Sequence, residues 1–256
     1  MRVVLTHDVD SVRKPLSHVL KVRARFRLRD LIMHLLGLTN LYDNIPLILE
    51  LEEEVGVRST FFIPVFLFPL ELIEDELREL TRRGWEVGLH AVIERVQPLG
   101  LLRMQLEMLE EFVGSRPRGV RSHFLIADQR TLDFYAKLGF AYDSSLRVEE
   151  AARWDPYEVR PGLIELPIAV MDADLFGRFR LSEERAWRYI LRKLERARQE
   201  GARTFVLLFH QESFRMRGGR LYRRLLWWLH EREFDMCTCA SVYGALRASH
   251  RSSIGT

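Results

Sequence analysis

The sequence has few of the features that would place it in several common protein classes. It contains two cysteines in 256 residues, Cys237 and Cys239, so it can form neither a disulfide-rich scaffold nor a two-pair zinc site. We expect both to be small core residues. No apolar run reaches the roughly 18 residues that a membrane-spanning helix needs. No signal-peptide pattern precedes the first apolar segment, so we expect a cytoplasmic protein.

Lysine is also scarce, because it occurs only at positions 14, 21, 137 and 193, and arginine carries almost all of the positive charge. The net charge of +3 is too small to indicate a nucleic-acid partner. One local cluster of basic residues does stand out, between positions 13 and 29. It is either a solvated helix face or a contact for an acidic or phosphate-bearing partner.

The order of apolar segments predicts an α/β fold. Short runs rich in β-branched and aromatic residues alternate with amphipathic stretches that end at glycine, which favours a parallel sheet, open or closed into a barrel. No linker or repeat interrupts the chain, so we predict a single domain over residues 1–256. The predicted strands are 2–6, 59–66, 85–89, 119–124, 163–170, 204–209 and 236–240. The predicted helices are 15–37, 45–55, 74–83, 103–113, 130–138, 182–200 and 220–232.

Polar residues follow four of the predicted strands, at the point where each strand ends. Taken singly, each has a structural explanation, such as a helix cap or a core histidine. Taken together they predict one shared active site, because the carboxyl ends of parallel strands meet at one edge of a sheet and charged groups are rarely buried without a partner or a metal. These residues are Asp8, Asp10, His90, Arg121, His123 and His210.

The same segments resemble, in order, the motifs of the polysaccharide deacetylases, the NodB-like carbohydrate esterases. The resemblance covers roughly Val3 to His210. Each motif is short and not decisive by itself, but five motifs in the family's order are strong evidence for the resemblance. It implies a distorted parallel (β/α)7-type barrel that hydrolyses the N-acyl group of an amino sugar. The matching segments are Thr6–Asp10, Ser59–Phe62, Glu86–His90, Gly114–Pro117 followed by Arg121, and Leu208–His210.

The resemblance also implies roles for the strand-end residues. Asp10 and His90 would bind a divalent metal, zinc in the first place, with cobalt, nickel or manganese as alternatives. Asp8 would be the general base, and Arg121 would hold it ionised and aimed. His210 would protonate the departing amine as general acid.

Three further residues are candidates for contact with substrate. Leu208 would wall a small pocket for the acyl methyl group. The backbone N–H near Phe124 would help to stabilise the oxyanion. His7, inside the first motif, is the third candidate.

The pattern departs from the resemblance in the second motif. The family has His-x-x-x-His there, whereas this chain has Glu94 in the second position. The third metal ligand is therefore either Glu94, since carboxylate oxygen is an acceptable zinc ligand, or His123, which shares a strand face with Arg121. For the acid that orients the catalytic histidine we favour Asp172, with Asp174 and Asp143 as competitors.

Residues 13–42 form a long connection after the first motif, which we interpret as a helical insertion. Its basic, amphipathic character predicts either a cap over the active site or a contact of residues 13–30 with a membrane surface. The substrate would be an N-acetylated sugar that is polymer-bound, lipid-linked or nucleotide-linked. The alternative function is a degenerate barrel that binds carbohydrate without turnover. A sugar isomerase would need more metal carboxylates or phosphate-binding glycines than the sequence offers.

Overall fold

In the computed structural model, which describes residues 1–93 and 98–254, the strands join into one mostly parallel sheet. Each strand is short and rich in buried apolar residues, as strands covered on both faces are. The strands are β1 (Arg2–Asp8), β2 (Thr60–Ile63), β3 (Glu86–Ala91), β4 (Gly119–Ser122), β5 (Tyr142–Asp143), β6 (Tyr157–Arg160), β7 (Leu163–Glu165), β8 (Ile168–Met171), β9 (Thr204–His210) and β10 (Asp235–Cys237).

The strand order curls this sheet into a barrel. It runs β6-β7-β5-β4-β3-β2-β1-β9-β8, with β10 added beside β1, and the only antiparallel pair in this order is β6 with β7. Arg147, just after β5, forms an isolated parallel bridge with Ile168 at the start of β8. This bridge joins the two ends of the seven-strand run from β5 to β8. The predicted distorted parallel barrel is therefore confirmed.

Helices cover the outside of the barrel. They are α1 (Leu16–Lys21), α2 (Leu28–Leu35), α3 (Ile45–Glu54), α4 (Glu74–Arg82), α5 (Pro98–Val113), α6 (Gln129–Leu138), α7 (Val148–Ala151), α8 (Glu183–Gln199), α9 (Arg217–His230) and α10 (Cys239–Ile254). None of the described helices is long and apolar enough to cross a membrane.

The alternation of side chains along β1 decides what reaches the barrel interior. Val3 and Leu5 point outward into the large core beneath the helices, whereas Val4 points inward to a smaller cluster. Asp8 shares the inward face with Val4, because successive side chains of a strand point to opposite faces. The apolar interior thus fills the lower barrel, and polar side chains take over at the carboxyl end.

Three predicted elements differ from those observed. The predicted helix 15–37 is divided into α1, a 3-10 turn at Arg23–Arg25 and α2, because the backbone is extended at Phe26, whose side chain is buried. The predicted strand 163–170 is split by Pro167, which lacks the N–H that a ladder needs. The predicted strand 236–240 stops at Cys237, and α10, which we did not predict, begins at Cys239.

The helical segment, residues 13–42, is tied at both ends to the loop after β9. Gln211 Nε2 donates to the carbonyl oxygens of Ser11 and Tyr42 at 2.6 and 2.8 Å, and Gln211 Oε1 accepts from the backbone N–H of Asn44 at 2.9 Å. Because Gln211 directly follows His210, the two ends of the segment are fixed beside the predicted catalytic histidine.

Candidate active site

Three ligand atoms from three different strand ends converge at the mouth of the barrel. Asp10 Oδ1 lies 3.0 Å from His90 Nε2 and 3.3 Å from His123 Nδ1, and the two histidine nitrogens are 3.3 Å apart. The other ring nitrogen of His90 faces the carbonyl oxygen of Arg121 at 3.1 Å. If His90 donates its N–H to that carbonyl, its Nε2 lone pair points at Asp10 and His123.

These separations fit a bound metal ion. Zinc held at about 2.0–2.1 Å in tetrahedral geometry places its ligand atoms about 3.3 Å apart. The donors, two imidazole nitrogens and a carboxylate oxygen, are those that zinc accepts.

The charges of the cluster are mutually dependent. Burial raises the pKa of Asp10, but hydrogen bonds with His123 and His90 outweigh it and hold the pKa well below its ordinary value. Burial lowers the pKa of His90, yet the charge of Asp8 and the hydrogen bond with Asp10 leave it above its usual value. The site therefore favours a carboxylate at position 10 with positive charge close to it.

Asp8 and Arg121 form a buried ion pair beside the three converging ligands. Arg121 Nη1 donates to Asp8 Oδ1 at 2.8 Å, and the same nitrogen donates to Thr6 Oγ1 at 2.9 Å. The guanidinium also donates to the carbonyl oxygen and the hydroxyl of Ser144 at 2.7 and 2.8 Å, while its plane covers the ring of Phe62. Arg121 is completely buried, so its orientation is fixed. The second oxygen of Asp8 remains directed at the cluster, 3.8 Å from His90 Nε2.

His210 and Asp172 form a second pair across the mouth from Arg121. His210 Nδ1 lies 2.6 Å from Asp172 Oδ1, and Asp172 Oδ2 accepts from the backbone N–H of His210 and from the hydroxyl of Ser213. Burial lowers the pKa of His210, but the charge and hydrogen bond of Asp172, together with the charges of Asp8 and Glu212, outweigh burial and hold the pKa well above its ordinary value. The other ring nitrogen of His210 is 3.8 Å from Asp10 Oδ2 and faces the cluster.

A cleft of about 650 Å³ lies beside the cluster, on the side of His210 and Asp172. Its floor includes Asp10, Asp172 and His210, and one wall is built by the helical segment through Lys14, His18 and Arg25 among other residues. Clefts of roughly 300–1,000 Å³ hold ligands the size of small molecules.

Comparison with known proteins identifies the fold. No protein-family model and no curated protein sequence matches the chain. A Mycobacterium smegmatis protein described provisionally as a polysaccharide deacetylase superposes with a TM-score of 0.72 at 24% identity, over 97% of this chain and 91% of that one. The chain has the polysaccharide deacetylase fold. PuuE allantoinase has it too, with a TM-score of 0.69 at 15% identity over 97% and 91% of the two chains. So does a CE4-family pseudoenzyme from Bacillus anthracis, with a TM-score of 0.60 at 12% identity over 94% of this chain and 65% of that one.

Within this deacetylase fold, the competing sequence predictions can be placed. Glu94 lies outside the described residues, whereas His123 is one of the three converging side chains that could hold a metal ion. Of the acids considered for orienting His210, only Asp172 contacts it. Asp174 pairs with Arg147 at 3.0 Å, and Asp143 is buried beside Ser145.

Two predicted substrate contacts are wrong. His7 is fully buried on the outward face of β1, where its Nε2 lies 2.9 Å from Glu52 Oε1, because neighbours of Asp8 along the strand point away from the barrel mouth. Leu208 faces the interior but is also fully buried, packed with Val4 and Phe62, so no surface of it is available to a ligand.

The third predicted contact, Phe124, is in an unusual position. Its side chain is 82% exposed and its ring contacts that of His123 at a tilt of 46°, with ring centroids 3.9 Å apart. Its φ is +60° and that of the following Leu125 is +55°, a conformation that non-glycine residues rarely adopt. Two such residues in succession turn the chain sharply at the end of β4, and strain of this kind concentrates at functional sites.

Sequence reasoning missed Glu212, which also lines the cleft. Its Oε2 is buried and has no hydrogen-bond partner among the described residues. Burial raises its pKa to about 7, with the charge of His210 acting in the opposite direction. The sequence signal that could have identified Glu212 is its position, two residues after the last motif.

Proposed function

We propose that the chain is a single catalytic domain, a metal-dependent hydrolase that removes an N-acyl group from an amino sugar. One observation carries the proposal, namely the convergence of Asp10, His90 and His123 at distances suited to one ion, with a carboxylate–arginine pair and a histidine–carboxylate pair on either side. A site with a base, an acid and a metal position is what amide hydrolysis needs.

Asp10, His90 and His123 would hold the cation, and zinc suits their donor atoms best, with cobalt, nickel or manganese as alternatives. When bound there, a divalent cation lowers the pKa of water and polarises an amide carbonyl. The hydrogen bond between His90 and the carbonyl oxygen of Arg121 would fix the ring orientation and leave Nε2 for the ion.

Asp8 would accept the proton of the attacking water. The neighbouring guanidinium of Arg121 stabilises the ionised carboxylate at one oxygen and leaves the other oxygen directed at the cluster. The four hydrogen bonds of Arg121 in turn prevent it from rotating away.

His210 would donate a proton to the departing amine. Asp172 holds one ring nitrogen and thereby directs the other, with its proton, into the cleft. The raised pKa of His210 favours the protonated imidazole, which is the form that a general acid needs.

The exposed ring of Phe124 would stack on a sugar face, and its backbone N–H would stabilise the oxyanion. The carbohydrate would be polymer-bound, lipid-linked or nucleotide-linked. An aromatic surface beside polar groups that point into an open cleft is suited to sugars, because one face of a sugar ring is apolar and its edges carry hydroxyls.

The test is metal analysis of the purified protein, followed by measurement of amine release from N-acetylglucosamine oligomers with and without a chelator. We expect about one metal ion per chain and turnover that the chelator removes and added zinc restores. The Asp8→Asn protein is the control, since it should keep the metal and lose turnover. Purified protein that neither contains nor takes up metal, or turnover that the chelator leaves intact, contradicts the proposal.

A carbohydrate-binding barrel without turnover is the second candidate. Two observations favour it: Glu94 stands where the resembling family has a second metal-binding histidine, and a pseudoenzyme shares the fold. Saturable binding of N-acetylglucosamine oligomers without amine release, by a protein loaded with zinc, cobalt, nickel or manganese in turn, would favour this candidate.

A further inference from the structure

Exposed apolar side chains are concentrated on the helical segment. Of the fifteen large apolar residues that are exposed in the described chain, seven fall within residues 16–38. Exposed apolar clusters of this kind mark interaction sites, whereas single exposed residues are ordinary. The seven are Leu16, Leu20, Leu28, Ile32, Leu35, Leu36 and Leu38, with exposures between 45% and 72%.

The helix α2 places apolar residues on its outward side. Leu31 packs inward against the small core of the segment, while Leu28, Ile32 and Leu35 lie on the solvent side at spacings of four and three residues. A surface helix of a globular protein ordinarily shows polar residues there. In α1, Val19 is buried in the same core and Leu16 and Leu20 are exposed.

The same segment is strongly basic. Residues 13–38 contain seven arginines and lysines and a single acid, Asp30, so they carry a net charge of +6. Because the whole chain carries +3, the remaining residues sum to −3. Asp30 faces Arg215 at 3.5 Å, and no described residue forms an ion pair with Lys21 or Arg29.

We propose that the helical segment docks the protein on an anionic membrane surface. Its leucines would enter the boundary between headgroups and acyl chains, and its basic residues would contact lipid phosphates. Exposed leucines on two short helices, with basic residues within and between those helices, match an interfacial segment.

The inner side of the segment connects this surface to the catalytic cleft. Lys14, His18 and Arg25 line the cleft that also contains His210, and Arg217 lines its rim. Docking through the outer side of the segment would therefore hold the cleft close to the membrane surface. Resting on the proposed function, we infer that the substrate is an acylated amino sugar carried on a membrane lipid through phosphate, which Lys14, Arg25 and Arg217 would contact.

Sedimentation with vesicles tests the docking. We expect the full chain to bind vesicles of phosphatidylcholine with 30% phosphatidylglycerol at least tenfold more tightly than vesicles of phosphatidylcholine alone. Lys21→Gln with Arg29→Gln should weaken binding roughly 25-fold, since each cation near an anionic leaflet contributes about fivefold. Leu28→Ser with Ile32→Ser should weaken it more than about tenfold. These four side chains are exposed, so the fold should be unaffected.

Matched controls lie elsewhere on the surface. Arg192→Gln with Arg198→Gln removes two exposed cations from α8, and Leu72→Ser with Met104→Ser removes two apolar residues of 48% and 46% exposure. Both should bind the anionic vesicles like the unmodified chain. Equal binding to both kinds of vesicle, or equal losses in control and segment variants, would overturn the docking.

The docking and the proposed function can fail separately. Vesicle binding by zinc-loaded protein that shows no amine release supports the docking and counts against the hydrolase. For the substrate, deacetylation of polyprenyl-diphosphate-linked N-acetylglucosamine in vesicles is compared with that of soluble N-acetylglucosamine 1-phosphate. The segment variants should lower only the rate on the lipid-linked sugar. Equal losses on both sugars, or a strong preference for the soluble one, would refute the lipid-linked substrate.

Discussion

Changing Asp143 to asparagine should stabilise the protein at pH 8 and have a much smaller effect at pH 4.5. Asp143 on β5 and Glu165 on β7 are register partners and are both fully buried. One oxygen of Asp143 accepts from Ser145 Oγ, and one oxygen of Glu165 accepts from the backbone N–H of Leu146. The remaining oxygen of each is buried without a hydrogen-bond partner among the described residues, so we expect at least one of the two carboxyl groups to be protonated in the folded state.

The magnitude follows from the pKa of Asp143. Burial raises it from 3.8 to about 6, and burial together with the charge of Asp143 raises the pKa of Glu165 well above its usual value. The folded state therefore holds protons that the unfolded state releases, so stability is lost as pH rises from about 4 through about 6. For Asp143 alone the loss is on the order of 3 kcal/mol above pH 6 and about 1 kcal/mol at pH 4.5.

Asparagine removes this loss because it does not titrate. Its oxygen can still accept from Ser145, and its amide can donate to Glu165. Urea unfolding followed by tryptophan fluorescence at pH 4.5 and pH 8 measures the difference between variant and unmodified chain. That difference should grow by about 2 kcal/mol toward stabilisation between the two pH values. Glu50→Gln, which removes one exposed carboxylate, should show no such growth. An Asp143→Asn difference that is independent of pH refutes the reasoning.

Four further outcomes are expected. Asp10→Ala should lose bound metal and amine release together, whereas Asp8→Asn should lose only amine release; an Asp8→Asn protein with full activity would show that Asp8 is not the base. Asp172→Asn should keep the metal and slow turnover by roughly 10²–10⁴-fold, because the carboxylate that orients His210 would be lost. An unchanged rate would argue against the orientation of His210 by Asp172. Glu52→Ala should lower the free energy of unfolding by about 3–5 kcal/mol, measured with urea, because it leaves the buried partners His7, Trp85 and Tyr222 without their common carboxylate; Glu52→Gln should cost less. Zinc at roughly 100 times its dissociation constant should stabilise the chelator-treated protein by about 2.7 kcal/mol in thermal unfolding, and no shift would mean no site.

One property of parallel sheets made it possible to predict from the sequence both the barrel and the proximity of the polar residues at the strand ends. In a parallel sheet all strands present their carboxyl ends at one edge, so the polar residues after β1, β3, β4 and β9 had to lie together. The strands themselves could be located because each is a short apolar run followed by an amphipathic helix. Asp10 and His90, eighty positions apart, are 3.0 Å from each other as a result.

The predictions of site residues were wrong where the direction of a side chain, or its depth in the barrel, decides whether it reaches the cleft. His7 lies in the first motif, but strand alternation turns it toward Glu52 and away from the cleft. Leu208 shares its face with His210 but lies one pleat deeper, where packing closes over it. The roles of Thr6 and Ser144 in holding Arg121 depend on three-dimensional proximity that no spacing reveals.

The arrangement of the proposed ligands bears on whether the chain is an enzyme or a binder. Asp10, His90 and His123 come from the ends of three strands, so the set has three members without any contribution from position 94. The absence of a histidine at that position therefore does not predict the absence of a metal. A binder would also have no use for the Asp8–Arg121 pair, since burying two charges costs several kcal/mol of desolvation that attraction only partly offsets. A reaction that needs Asp8 as a base does have a use for the pair, because the buried Arg121, held by four hydrogen bonds, fixes the position of the Asp8 carboxylate.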